Sequence, residues 1–119
     1  MSAKRLNTEF YPLDDAERAE NTVRFWRERG YGRSRIEFEI QKRGIPREYW
    51  GGAFERVDGV LHEEAAETEA AASIIDNYDL PRGLTPGIRR RIVSALKRRG
   101  HSRDVIIRAF MSRGFEISM

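Results

Sequence analysis

Two stretches of the chain decide its fold: RIEFEIQKRGIPREYWGGAF at residues 35–54 and RIVSALKRRGHSRDVIIRAF at residues 91–110. Aligned at an offset of 56 residues, both begin with Arg-Ile, carry a basic pair before a central glycine and end with Ala-Phe. The shared positions include apolar, basic and helix-ending residues together, which is typical of an internal repeat. We therefore predict that the chain contains two copies of one structural unit.

Apolar residues recur three and four positions apart along most of the 119-residue chain, and this spacing predicts helices. Six helices follow from it, supported by residues that commonly cap or open a helix. Those residues are Asp14, Ser34, Pro46, Thr85 and Ser102. Grouped in threes, the helices define the predicted fold class, an all-α protein of tandem three-helix repeats. The predicted divisions are an N-terminal extension at 1–14, a first repeat at 15–57 and a second repeat at 58–119.

Some side chains are expected at contacts between helices. The fourth predicted helix, at 61–77, places Leu61, Ala65, Ala72 and Ile75 on its inward face. The glycine pair at 51–52 lies inside the third predicted helix, where each glycine costs about 1 kcal/mol relative to alanine, so we expect a close helix approach there. Phe38 lies opposite the apolar stripe of the second helix. We expect it to pack against the other repeat, or alternatively to contact a partner.

An Arg-Gly pair ends a predicted helix four times, at residues 29–30, 43–44, 99–100 and 113–114. Glycine adopts the left-handed backbone conformation that closes a helix, and an arginine in the last turn interacts favourably with the helix dipole. We therefore expect a structural role for these arginines at the helix ends. Contact with an anionic partner is the alternative.

The net charge of +3 hides an uneven distribution along the chain. Residues 1–56 carry a net charge of +2, residues 57–80 carry −7 with no basic side chain, and residues 81–119 carry +8. This asymmetry favours an acidic or polyanionic partner for the C-terminal third, although the acidic segment also offers it an internal partner. Because no transmembrane-length apolar run and no signal peptide is found, we expect a soluble, cytoplasmic protein without a membrane partner.

The residues that catalysis or metal binding requires do not form a recognisable pattern. There is no cysteine, and the two histidines, His62 and His101, lie in unrelated contexts. Neither a glycine-rich phosphate loop nor a set of nucleophile, base and orienting group is present. His62 stands beside two glutamates, which is a weak metal signal, and His101 follows a helix-ending glycine, where partial burial is expected. We therefore expect a protein that is not an enzyme and that uses no cofactor or metal.

The predicted helix that begins at Pro86 carries the clearest candidate binding surface. Arg90 and Lys97 point away from its apolar stripe, and Arg91 and Arg98 share one flank. Because no acidic residue interrupts these cations, the face is suited to phosphates or to an acidic groove on a protein. An ordinary solvated face is the alternative.

The corresponding helix of the first repeat is a weaker candidate. It carries Arg35 and Lys42, but Glu37 and Glu39 lie between them. We therefore expect this helix to be less suited to binding an anionic partner.

Two segments resemble repeats of the RecX family. Residues 25–54 are similar to its central repeat through a Gly-Tyr-Gly turn, an Arg-Ile pair and a Gly-Ile step. These motifs lie at residues 30–32, 35–36 and 44–45. Residues 86–110 are similar to its last repeat, in which an Arg-Arg-Gly step follows an amphipathic helix. The family usually has three such repeats and a phenylalanine at the position of His101, whereas this chain has room for two.

The resemblance implies a regulator of the RecA recombinase, active in DNA repair, homologous recombination and the SOS response. RecX proteins bind in the helical groove of RecA filaments on DNA, and they hinder strand exchange and ATP hydrolysis. The basic faces would then meet acidic filament surfaces or bound DNA. The residues concerned are Arg90, Arg91, Lys97 and Arg98, with Arg35 and Lys42 as weaker candidates. Two other functions are compatible with the sequence: a helix-turn-helix-like module that binds DNA without a recombinase, and a helical scaffold for an unrelated protein.

Overall fold

The computed structural model describes residues 14–119, and this part of the chain consists of six α-helices and their connections. In chain order the helices are α1 (Asp15–Arg27), α2 (Arg33–Lys42), α3 (Trp50–Asp58), α4 (Glu63–Ile75), α5 (Pro86–Arg98) and α6 (Arg103–Ser112), with a 3-10 turn at Arg47–Tyr49. The predicted all-α class is confirmed, since these residues contain no named strand. The predicted N-terminal extension lies outside the described residues except for Asp14.

The described residues bury two separate hydrophobic clusters. One is formed by α1, α2 and α3, which we call the first module, and the other by α4, α5 and α6, the second module. Phe54 and Phe110, which end the two aligned stretches, are both fully buried, one in each cluster. Two clusters of this kind are compatible with the predicted pair of three-helix repeats.

Three of the predicted capping residues accept hydrogen bonds at helix starts. The Asp14 carboxylate accepts from the Glu17 N–H at 2.8 Å. Thr85 caps α5 and Ser102 caps α6 in the same way. The prediction for Ser34 is wrong, because the N-cap of α2 is Gly32, two residues earlier, and the helix begins at Arg33. The Ser34 hydroxyl is consequently free to donate to a carbonyl of the second module.

Each of the four Arg-Gly pairs ends a helix, as the sequence predicts. The glycines all have positive φ, between 72° and 89°. The residue after each glycine donates its N–H to a carbonyl five positions earlier, as in the bond from His101 to Leu96 at 3.2 Å. This pairing is the Schellman arrangement, in which the carbonyls left open at a helix end find donors.

The expected inward face of α4 is wrong at its beginning. The helix starts at Glu63, so Leu61 precedes it, and the Leu61 side chain is 95% exposed. Ala65 is exposed as well, because the buried stripe of the helix runs instead from Glu67 to Ile75. The rest of the predicted stripe is confirmed, because Ala72 and Ile75 are both buried on the inward face of α4.

Two other packing expectations also fail. A Cβ atom added at Gly51 would meet nothing within 4 Å, and one at Gly52 would meet only the Arg56 side chain, so no neighbouring helix approaches there. Phe38 belongs to neither buried cluster and is 53% exposed. Both features therefore lie on the surface of the first module.

The two modules meet where the turn after α1 contacts the turn after α5. The Gly32 N–H donates to the Arg99 carbonyl at 2.7 Å, and the Ser34 hydroxyl donates to the Gly100 carbonyl at 2.9 Å. A Cβ atom at Gly32 would lie 2.5 Å from the Gly100 carbonyl oxygen, which leaves no room for a side chain. With the modules placed end to end in this way, the molecule is elongated, with extents of 66 × 25 × 18 Å.

Candidate partner-binding surface

The four cations predicted on α5 lie on its exposed face. Arg90, Arg91, Lys97 and Arg98 are all exposed, and we call them the α5 basic face. The opposite side of the helix is buried in the core of the second module. The helical spacing of the sequence therefore assigns the two sides of α5 correctly.

The acidic segment at 57–80 neutralises other parts of the molecule. Six of its seven carboxylates form ion pairs. The pairs are Asp58 and Glu67 with Arg27, Glu63 with Arg33, Glu64 with Arg108, and Glu69 and Asp76 with Arg113. The acidic segment therefore forms ion pairs within the molecule, one of the two alternatives that the charge distribution allowed. Its partners lie on α1, on α2, and on or directly after α6, and none lies on α5.

The α5 basic face forms no ion pair with any carboxylate of residues 14–119. Arg90, Arg91 and Arg98 line a shallow groove of about 450 Å³ together with Tyr78 and Ser94. Guanidinium and hydroxyl groups donate hydrogen bonds to phosphate and carboxylate oxygens. The sequence analysis did not single out Tyr78 or Ser94 for this groove. Ser94 lies one helical turn from both Arg91 and Arg98, and that spacing is the signal that could have identified it.

Arg35 and Lys42 have a different electrostatic environment. The Glu39 carboxylate, whose side chain is only 3% exposed, lies 3.2 Å from the Arg35 Nε and 3.6 Å from the Lys42 Nζ. Burial alone would raise the pKa of Glu39, but hydrogen bonds from Arg43 and Arg35 outweigh burial and lower its pKa. The two weaker candidates are therefore partly neutralised within α2, and neither lines the α5 groove.

A buried ion cluster joins the modules, and the sequence analysis missed it. The Arg27 guanidinium donates to both oxygens of Asp58, at 3.0 and 2.7 Å, and to the Glu67 carboxylate at 3.1 Å. The same Glu67 oxygen accepts the Arg33 N–H at 2.7 Å. Burial raises the pKa of Glu67, while Arg27 acts in the opposite direction. This cluster ties the acidic α4 to α1 and to the first residue of α2.

His101 is a polar contact between the modules rather than a hydrophobic residue in a core. Its side chain is buried, and the ring Nε2 lies 2.7 Å from the Gly30 carbonyl oxygen. Because a carbonyl only accepts, Nε2 carries the proton and Nδ1 is the acceptor, yet Nδ1 has no hydrogen-bond partner. Burial lowers the pKa of His101, and the nearby cations Arg27 and Arg99 add to that effect.

The described residues give no sign of a metal centre or a membrane span. Among them, no group of three or more His, Asp or Glu side chains is arranged to hold a metal ion. No helix within 14–119 combines the length and the apolar character that crossing a membrane requires.

Comparison with protein-family models, with curated proteins and with solved structures gives no match to this chain.

Proposed function

We propose that this chain is a RecX-like regulator that binds RecA filaments in the cytoplasm and lowers their strand exchange and ATP hydrolysis. The observation that carries the proposal is the α5 basic face, which has no carboxylate partner among residues 14–119 while the carboxylates of α4 are paired with other helices. The resemblance of residues 25–54 and 86–110 to RecX repeats supplies the identity of the partner. The chain acts by binding and needs no cofactor.

The physical basis of the proposal is electrostatic complementarity. A cationic face that is not neutralised internally steers association with an acidic surface and suppresses binding to basic ones. A filament repeats the same surface along its axis, and this molecule, 66 Å long, presents an elongated surface to it. Occupying the filament groove in this way would obstruct the strand and subunit movements that exchange and hydrolysis require.

A helix-turn-helix-like DNA-binding module is the second candidate. The observation that favours it is the α5 groove, which three arginines line together with Tyr78 and Ser94. Phosphodiester oxygens accept hydrogen bonds from all of these groups. In this case the chain would bind DNA tightly without any recombinase.

The proposal is tested by titrating the protein into RecA filaments on DNA and measuring ATP hydrolysis and strand exchange. Inhibition is expected at protein concentrations that leave naked single- and double-stranded DNA largely free. Binding to naked DNA is measured in parallel across a salt series. Tight, steeply salt-dependent DNA binding with no effect on the recombinase would contradict the proposal and favour the DNA-binding module.

A further inference from the structure

The first module carries a second surface, on which exposed aromatic rings alternate with cations. Phe25 is 45% exposed and Phe38 is 53% exposed, whereas the other large apolar side chains of α1, α2 and α3 are buried or half-buried. Arg29, Arg35 and Lys42 lie beside these rings. We call these five residues the aromatic–cation surface. Exposed aromatic side chains clustered in this way are more informative than single exposed apolar residues, since they indicate a contact.

The rings and cations of this surface are in contact with one another. The Arg29 guanidinium lies 3.5 Å from the centre of the Phe25 ring. Lys42 Nζ lies 5.4 Å from the centre of the Phe38 ring, and the Arg35 guanidinium lies 5.9 Å from it. The Trp26 ring connects the two halves, because it packs edge-on against Phe25 at 5.1 Å and lies 5.9 Å from the Arg35 guanidinium.

We propose that the aromatic–cation surface binds single-stranded nucleic acid. A base stacks on the exposed Phe38 ring, another packs against the exposed part of Phe25, whose ring Arg29 partly covers, and the neighbouring cations contact the phosphates on either side. Stacking tolerates any base, since every base has a flat aromatic face, and cations next to the rings neutralise the backbone. A duplex hides the faces of its bases, so the surface selects single strands. A purely acidic protein partner would use the cations but would give the two exposed rings no role.

The internal repeat confines stacking to the first module. At the offset of 56 residues, Arg35 and Lys42 correspond to Arg91 and Arg98, whereas Phe38 corresponds to Ser94. The α2 face is therefore a version of the α5 groove in which a ring replaces a hydroxyl. The carboxylate that pairs with Arg35 and Lys42, Glu39, is buried beneath them, so the cations and the ring form the outer layer. This inference goes beyond the proposed function, because it concerns a different helix and a different ligand.

The test uses fluorescence anisotropy with two labelled oligonucleotides of equal length and charge, an oligodeoxythymidine and an abasic strand. The unsubstituted protein is expected to bind the oligodeoxythymidine about tenfold more tightly than the abasic strand, and more tightly than a duplex of equal length. Phe25→Ala and Phe38→Ala should each weaken oligodeoxythymidine binding by about tenfold and leave abasic binding unchanged. Phe38→Trp should retain the binding, since it preserves a stacking ring. Met111→Ala, which removes another exposed apolar side chain, is the matched control.

Several results would overturn this inference. Equal binding of the two strands by the unsubstituted protein would exclude stacking. Stacking would also be excluded if Phe38→Ala bound oligodeoxythymidine as tightly as Met111→Ala does. Circular dichroism must show that both variants are folded. If Phe25→Ala and Phe38→Ala lost recombinase inhibition but kept oligonucleotide binding, the surface would contact protein instead. Failure of the α5 proposal leaves this test intact, because charge reversal on α5 should not change the preference for bases over abasic sites.

Discussion

At the scale of single residues, charges placed on apolar stripes hold the two modules together. Arg27 lies four positions after the buried Val23 of α1, and Glu67 lies four positions before the buried Ala71 of α4. A charge on the buried side of a helix is a signal that the sequence contains. The sequence did not reveal that these two charges meet, because their pairing depends on how the modules dock. The exposed α5 cations were predictable because only their position on one helix mattered.

Arg27→Met should lower the free energy of unfolding by about 3–5 kcal/mol, because it leaves the buried Asp58 and Glu67 carboxylates without their cation. Urea denaturation followed by far-ultraviolet circular dichroism measures this change. The matched control is Arg113→Met, which removes two ion pairs with exposed carboxylates, Glu69 and Asp76, and should cost no more than about 1 kcal/mol for each pair. Equal losses in the two variants would mean that the buried cluster does not hold the modules.

The stability of the protein should depend on the protonation of His101. Because burial lowers the pKa of this residue from its ordinary value of 6.5, the unfolded chain takes up a proton more readily than the folded one does. The contribution of His101 to the free energy of unfolding is therefore complete above pH 6.5, and it decreases as the pH falls from 6.5 toward the folded pKa.

His101→Phe provides the comparison for this pH dependence. Denaturation series between about pH 7 and pH 5, spanning the ordinary histidine pKa, should show a smaller loss of stability in this variant than in the unsubstituted protein. Because the carboxylates titrate in both proteins, the difference between their losses of stability reports the contribution of His101. Identical slopes would indicate that protonation of His101 does not couple to folding.

At the scale of helices, the four glycine-closed ends were the most predictable feature. Each end is decided locally, by an Arg-Gly step and the residue after it, so no knowledge of the tertiary fold is needed. The start of α2 was not predictable in the same way. Ser34 has the sequence context of a capping residue, yet its hydroxyl bonds to Gly100 in the other module. Tertiary contact therefore overrides the local capping preference at this position.

Gly51→Ala should raise the free energy of unfolding by about 0.5–1 kcal/mol, because alanine is the better helix former and a Cβ atom there meets nothing within 4 Å. Thermal and urea denaturation measure the change. Gly114→Ala is the contrasting variant, since its site is equally open but has a φ of 87°. It should be destabilising by about 1–2 kcal/mol. Destabilisation by Gly51→Ala would show that the glycine pair has a packing role after all.

At the scale of the whole molecule, the end-to-end contact of the modules determines the overall shape. The repeat at an offset of 56 residues predicted two units, but it carried no information on their relative placement. That placement follows from the close approach of Gly32 to Gly100 and from the buried ion cluster, both of which join residues far apart in sequence. The charge distribution alone also did not show whether the acidic segment pairs with the basic C-terminal third or leaves it to an external partner. The ion pairs of α4 answer this question.

Gly32→Ala should loosen this contact without straining its own backbone, since Gly32 has a φ of −92° that alanine accepts. Its Cβ atom would lie 2.5 Å from the Gly100 carbonyl oxygen, so the modules must separate. Small-angle X-ray scattering should then give a larger radius of gyration than for the unsubstituted protein. Gly51→Ala, at an open site outside the contact and without a positive φ, is the control and should leave the scattering unchanged. An unchanged radius in Gly32→Ala would contradict a rigid end-to-end contact.

The central claim is that the α5 basic face binds the RecA filament. The most direct measurement compares inhibition of RecA ATP hydrolysis by the unsubstituted protein with inhibition by Arg90→Glu/Arg91→Glu/Lys97→Glu. The control, Arg24→Glu/Arg47→Glu/Arg56→Glu, makes the same change in net charge at exposed sites of the first module. We predict that the α5 variant, folded by circular dichroism, requires at least about tenfold more protein for half-maximal inhibition, while the control inhibits normally. Undiminished inhibition by the folded α5 variant would contradict the claim.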